Sequence, residues 1–269
     1  MEYEVEYDES IKSRFQLVNI HPVVLVTHSE NWLVLEVCLV APIFKKQNKT
    51  REEIVRVFKD LVIQGHHEKI TVQTISELSN ISRKTFYYHF PDKTKLIRWI
   101  FRYELGSALA EQCSVSDLIF LPGDSRLEYP EIPYYARTPI GVRSLDGSRF
   151  FRILGSYLQD NREYYRQVVS NRSFSNFIRY ITALYQQAFI GDVRFVLGGR
   201  MLPQESISQL GRYFSNAAIV NYFDALIHSN SDLRCLIPED FSNINHESLS
   251  GIIDGHFAKS VNKFSFFES

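Results

Sequence analysis

The stretch Ile70–Trp99, ITVQTISELSNISRKTFYYHFPDKTKLIRW, constrains this chain more than any other. Thr71 is an N-cap hydroxyl ahead of Val72, Ile75 and Leu78, whose spacing of three predicts a short helix with an apolar stripe. Asn80 breaks that pattern with a residue suited to a turn, and Ser82 offers a second N-cap before Arg83-Lys84-Thr85. In the helix that follows, Phe86 and Phe90 lie four apart and face inward with Ile81, so Arg83, Lys84, Thr85, Tyr87 and His89 project from the other sides. Pro91 closes this helix, and Asp92 caps a third from Lys93. Two short helices around a tight turn, the second opening on basic and hydroxyl side chains, form the arrangement that lays side chains in a DNA major groove.

These residues carry a family resemblance. Thr50 to about Leu105 resembles the DNA-binding domain of tetracycline-repressor-type (TetR/AcrR) regulators: a first helix, Ile70-Thr71-Val72, a turn, then Ser82-Arg83 and Thr85-Phe86-Tyr87 leading to His89-Phe90 and Asp92-Lys93. Ser79-Asn80 stands where the family often has Ala-Gly, and Lys84 where it often has a small residue. The resemblance implies an all-α protein. Residues 49–105 form a three-helix, helix-turn-helix DNA-binding domain, residues 106–269 a helical effector-binding and dimerisation domain, and residues 1–48 an N-terminal extension. It further implies Arg83, Lys84 and Thr85 at base edges, and Thr71, Tyr87, Tyr88, His89 and Lys93 at phosphates. Ser82, the cap of the reading helix, belongs to the same DNA-binding set, and packing between helices is the alternative role for Tyr88.

Composition is consistent with that expectation. A chain of 269 residues, 45% hydrophobic and 23% charged, can hold two domains and a sizeable core. Its formal net charge is -1, yet Lys49–Leu105 carries 11 Lys and Arg against 7 Asp and Glu, a surplus of four, while both flanks are acidic. A basic head on an acidic chain suits phosphate contact followed by base readout. Cys38, Cys113 and Cys235 are odd in number and form no C-x-x-C pair, which argues against a disulfide framework or a structural zinc and predicts a cytoplasmic protein. The first ten residues are acidic, the opposite of a secretory n-region. The apolar run Trp32–Phe44 is interrupted by Glu36 and Pro42 and is too short to span a bilayer, so no membrane contact is expected.

Residues 1–48 read as a hairpin, Val23–Thr27 and Trp32–Val40 flanking His28-Ser29-Glu30-Asn31. They are either a real appendage or an over-extended gene start, and Lys45–Lys49 resembles the basic arm that precedes the first helix in the family. Thr50–Gln64 is the predicted first helix, with Thr50 and Glu53 as a capping box and Ile54, Val57, Phe58 and Leu61 inward. Gly65 ends it. His66-His67 lack a third ligand, so no metal is assigned to them. The long helix from Lys93 to about Gln112, with Leu96, Ile97, Ile100, Leu105 and Leu109 inward, links the two domains, and by resemblance it transmits effector-induced shifts.

Between Ser114 and Ser148, Pro122, Pro130, Pro133, Pro139 and three glycines rule out a regular helix. Tyr129, Tyr134 and Tyr135 favour an ordered flap there, either a ligand lid or a packed insertion. Helices resume at Arg149. Ser173–Ile190 carries an aromatic stripe suited to a core, and the resemblance implies an apolar ligand cavity among such helices. Gln204–His228 and Asn245–Val261 are expected to pair across a two-fold axis, with Gly211, Ala217 and Ala218 permitting close approach. Phe150–Tyr165 resembles regulators of dihydroxyacetone-kinase operons, some of which respond to a protein partner.

The functional expectation is therefore a homodimeric, sequence-specific transcription regulator on double-stranded DNA, a ligand-responsive repressor at a palindromic operator. The alternative is an activator or adaptor of the same fold controlled by a protein partner, so the effector is an unknown small molecule or protein. No nucleophile motif or metal box occurs, and Leu197-Gly198-Gly199 lacks the P-loop lysine and spacing, so no catalytic residue, cofactor or metal is expected.

Overall fold

The computed structural model describes residues 49–65, 70–170 and 176–265; the expected hairpin, His66-His67 and the start of the aromatic helix at Ser173 lie outside them. The described residues are mostly helical: α1 Lys49–Ile63, α2 Val72–Leu78, α3 Arg83–His89, α4 Lys93–Gln112, α5 Ser148–Asp160, α6 Arg162–Ser170, α7 Asn176–Leu197, α8 Gln204–His228 and α9 Ile244–Ser265. One hydrophobic core runs continuously from Ile54 on α1 to Ile253 on α9.

Local chemistry sets the boundaries around α2 and α3. Thr71 accepts from the Thr74 amide at 3.0 Å and Ser82 from the Thr85 amide at 3.0 Å, so both expected caps are made. Between them Asn80 takes the left-handed conformation, φ 52°, and the amides of Asn80 and Ile81 bond back to the carbonyls of Glu77 and Ser76. That is a Schellman motif with Asn in the place glycine usually fills. Asp92 caps α4 through the Lys95 amide at 2.8 Å.

Several expectations are corrected. The helix begins at Lys49, one residue before the expected cap Thr50, and Glu53 pairs with Arg56. Leu78 is exposed, because α2 turns Ser76 and Ser79 inward, small enough to sit against their neighbours. The aromatic helix continues past Ile190 to Leu197, since Asp192, Val193, Val196 and Leu197 extend its buried face. It stops at Gly198 and Gly199, both at positive φ.

The all-α expectation omits four short strands in the Pro-rich region: β1 Leu118–Ile119 pairs antiparallel with β2 Tyr135–Ala136, and β3 Thr138–Gly141 with β4 Ser144–Asp146. Prolines bar a helix there, and backbone groups of so buried a segment must find partners, which the strand pairs supply. The segment is ordered, and Ile132, Tyr134, Tyr135 and Ala136 are buried.

Candidate nucleic-acid interface

The seven residues of α3 divide by face. Phe86 is 0% exposed, and Phe90 just beyond it is 1% exposed; these two rings seat the helix, Phe90 lying edge-on to Trp99. Ser82, Arg83, Lys84, Tyr87 and Tyr88 lie on the exposed side, Tyr88 at 82%, while Thr85 and His89 are half-buried. The packing role weighed for Tyr88 is therefore excluded; its ring meets only the edge of His89 among the described aromatics. Neither Arg83 nor Lys84 has an ion-pair partner among the described residues, so both guanidinium and ammonium point at solvent. Thr85 shares a 2.8 Å hydrogen bond with the Ser82 hydroxyl.

Three candidate residues also serve the protein itself. The exposed Thr71 hydroxyl is committed to its cap and to Thr74 Oγ1 at 2.9 Å. Lys93 donates from Nζ to the Ile70 carbonyl at 2.5 Å, and burial lowers its ammonium below the ordinary lysine value. For His89, burial first and the Arg51 guanidinium second hold the imidazole below its ordinary value, so the ring is neutral near pH 7. Arg51 itself lies over the rings of Trp99 and Phe90, at 5.1 and 5.8 Å.

Helices α1 and α4 are fastened to α5 by a polar junction that helical periodicity does not disclose. Lys59 on α1 donates to both Glu104 oxygens on α4, at 2.9 and 3.1 Å, and to Asn161 Oδ1 at 2.7 Å. Tyr157 donates to the same carboxylate at 3.0 Å and its hydroxyl meets that of Tyr165. Burial raises both phenols well above the ordinary value, so they stay protonated and keep donating. The sequence signal for such a junction is a charged residue, Glu104, beside the apolar stripe of a long helix.

The interior where a ligand cavity was expected is packed with rings. Tyr135 lies 4.5 Å from Phe150 and 6.2 Å from Phe189 between centroids, and Phe150 lies 5.4 Å from Tyr185. At its polar end, the buried Asp192 carboxylate accepts from Tyr135 at 2.7 Å, Arg137 at 2.6 Å and His246 at 2.9 Å. On the outside, α8 and α9 border an open groove of about 570 Å³ lined in part by the exposed Tyr213, Ile244 and Ile252. Gly211 does not belong to that face: a Cβ there would stand 2.6 Å from Ile190, so it serves the α7/α8 contact within the chain.

Among the described residues no helix is long and apolar enough to cross a membrane, and no group of three or more His, Cys, Asp or Glu is placed to hold a metal.

No family model matches the chain. Over 65 residues it is 32% identical to the HTH-type dhaKLM operon transcriptional activator DhaS of Lactococcus lactis subsp. lactis (strain IL1403), a match covering 24% of this chain and 35% of that protein. The chain thus spans about a third of the length of the curated relative it matches. A solved structure titled dihydroxyacetone kinase operon activator DhaS aligns over 76% of this chain and 96% of its own at 19% identity, with a TM-score of 0.47. Both bear the names of transcription regulators and not of enzymes.

Proposed function

We propose that the protein is a DNA-binding transcription regulator whose α2 and α3 form a helix-turn-helix, with residues 49–105 as its reading head. The observation that carries this is α3 itself: a hydroxyl-capped helix held by Phe86 and Phe90 and presenting Arg83, Lys84, Tyr87 and Tyr88 outward. In this reading Arg83, Lys84 and Thr85 meet base edges, and Thr71, Tyr87, Tyr88, His89 and Lys93 line the phosphates. The relative's name supports the same function class and favours activation over repression.

Two copies act together on a two-fold operator, joined through the exposed apolar face of α8 and α9. In this reading the effector is a protein, a choice supported by the burial of the flap's Ile132, Tyr134 and Tyr135 in the aromatic interior. Fluorescence anisotropy on the DNA upstream of the protein's own gene tests the reading. Salt-sensitive binding of two chains per site is expected, and a chain with no DNA affinity at low salt refutes it. Tyr213→Glu, on the α8 face, is expected to sediment as a monomer.

A further inference from the structure

The turn Leu127–Pro133 is held to α4 more tightly than a surface connection requires. Arg102, 1% exposed, donates to the backbone carbonyls of Glu128 at 2.9 Å, Tyr129 at 2.9 Å and Ile132 at 2.6 Å. The Glu128 carboxylate binds Lys95 and Arg98, which lie two turns and one turn before Arg102 on the same helix. Tyr129 returns a hydrogen bond to the Lys95 carbonyl at 3.2 Å, and Tyr180 donates to Leu127 at 3.0 Å. Beneath the turn, Gly106 leaves no room for a side chain: a Cβ would stand 2.5 Å from Ile132 Cγ2 and 2.8 Å from the Pro133 carbonyl.

Two features show that this seating is imposed from outside the turn. Glu128 and Tyr129 are successive non-glycine residues in the left-handed region, φ 64° and 57°, a conformation that persists only where the surroundings hold it. Arg102 buries its charge against neutral carbonyls and the Tyr180 hydroxyl, with no carboxylate partner among the described residues, and its Nε is unsatisfied. The Glu128 carboxylate pairs with Lys95 and Arg98 while Arg102 holds the carbonyls of the same turn, so turn and helix each depend on the other.

We propose that Leu127–Pro133 is a releasable latch on α4, and that Arg102 is the positioning residue through which its seating sets the reading helices. Release frees Glu128 and Tyr129 from the left-handed region, leaves Lys95 and Arg98 without their carboxylate and strips Arg102 of its carbonyl acceptors. The disturbance falls on the first three turns of α4, whose Lys93 holds Ile70 at the entrance to α2. Seating and release of the turn are thereby read out as order or looseness of α2 and α3. The assignment of α2 and α3 as the DNA-contacting pair underlies this proposal.

Amide hydrogen exchange on the full chain without DNA tests it. In Glu128→Gln, which removes the charge from a part-exposed site, amides of Glu128–Ile132, Lys95–Trp99 and Ile70–Phe90 are expected to exchange about three- to tenfold faster, with α8 unchanged. Gly106→Ala, which pushes the turn off sterically, is expected to give the same pattern. Faster exchange confined to the turn, or no change in it, overturns the latch. Because the readout needs no DNA, a chain that never bound an operator would refute the proposed function and leave this result standing.

Discussion

The Lys93 ammonium meets the Ile70 carbonyl across 2.5 Å, so the first turn of α4 is tied to the residue just ahead of the α2 cap. A lysine has three donors, and this bond uses one, leaving the group able to meet a phosphate as well. Lys93→Met is expected to lower stability by about 1–2 kcal/mol, read from the denaturant midpoint. It should also weaken binding to operator and random DNA by the same factor. A loss confined to the operator contradicts the phosphate assignment.

Arg83 has no partner within the described protein, so its removal has little to disturb. Arg83→Ala is expected to leave the melting temperature unchanged and to relax preference at one base position per half-site, a discrimination worth about 1–3 kcal/mol. Competition binding with single-base operator variants measures this. An unaltered preference profile removes Arg83 from the reading set.

His89 links stability to pH. Its folded value is depressed, so below the unfolded value of about 6.5 the unfolded chain takes up a proton before the folded one does. The stability His89 contributes is present above that value and is lost as pH falls through the folded value. Thermal midpoints at about pH 7.5 and about pH 5.5 should therefore drop further in the wild type than in His89→Gln. Equal drops would show that the ring is not held neutral by its surroundings.

Glu104 gathers Lys59, Tyr157 and, through Lys59, Asn161 where α1 and α4 meet α5. Glu104→Gln keeps the shape but removes the charge from a part-buried pair, an expected cost of about 1–3 kcal/mol. Urea unfolding should shift its midpoint without a change in slope. A stability equal to wild type would make the junction dispensable.

What the sequence disclosed and what it withheld divide by range. The caps at Thr71, Ser82 and Asp92 and the pair Phe86 and Phe90 follow rules that act over three or four residues, so each was legible. Leu78 was misplaced because the same spacing also admits a stripe through Ser76 and Ser79, and only the neighbouring helices choose between them. The short strands have too few residues to show a period of two. Arg102 finds its acceptors 26 to 30 residues away, on backbone carbonyls that every residue type carries, so no side-chain pattern marks them. The filled aromatic interior was ambiguous for a similar reason, since the stripe on α7 reads alike whether it lines a cavity or meets the flap.

The division of faces on α3 bears on how such a protein changes over time. Anchorage rests on Phe86 and Phe90, whereas Arg83 and Lys84 are exposed and form no ion pair among the described residues. If the outer pair reads DNA as proposed, substitutions there are filtered by the genes addressed and hardly at all by folding, so a lineage can acquire a new target site while its architecture stays as inherited.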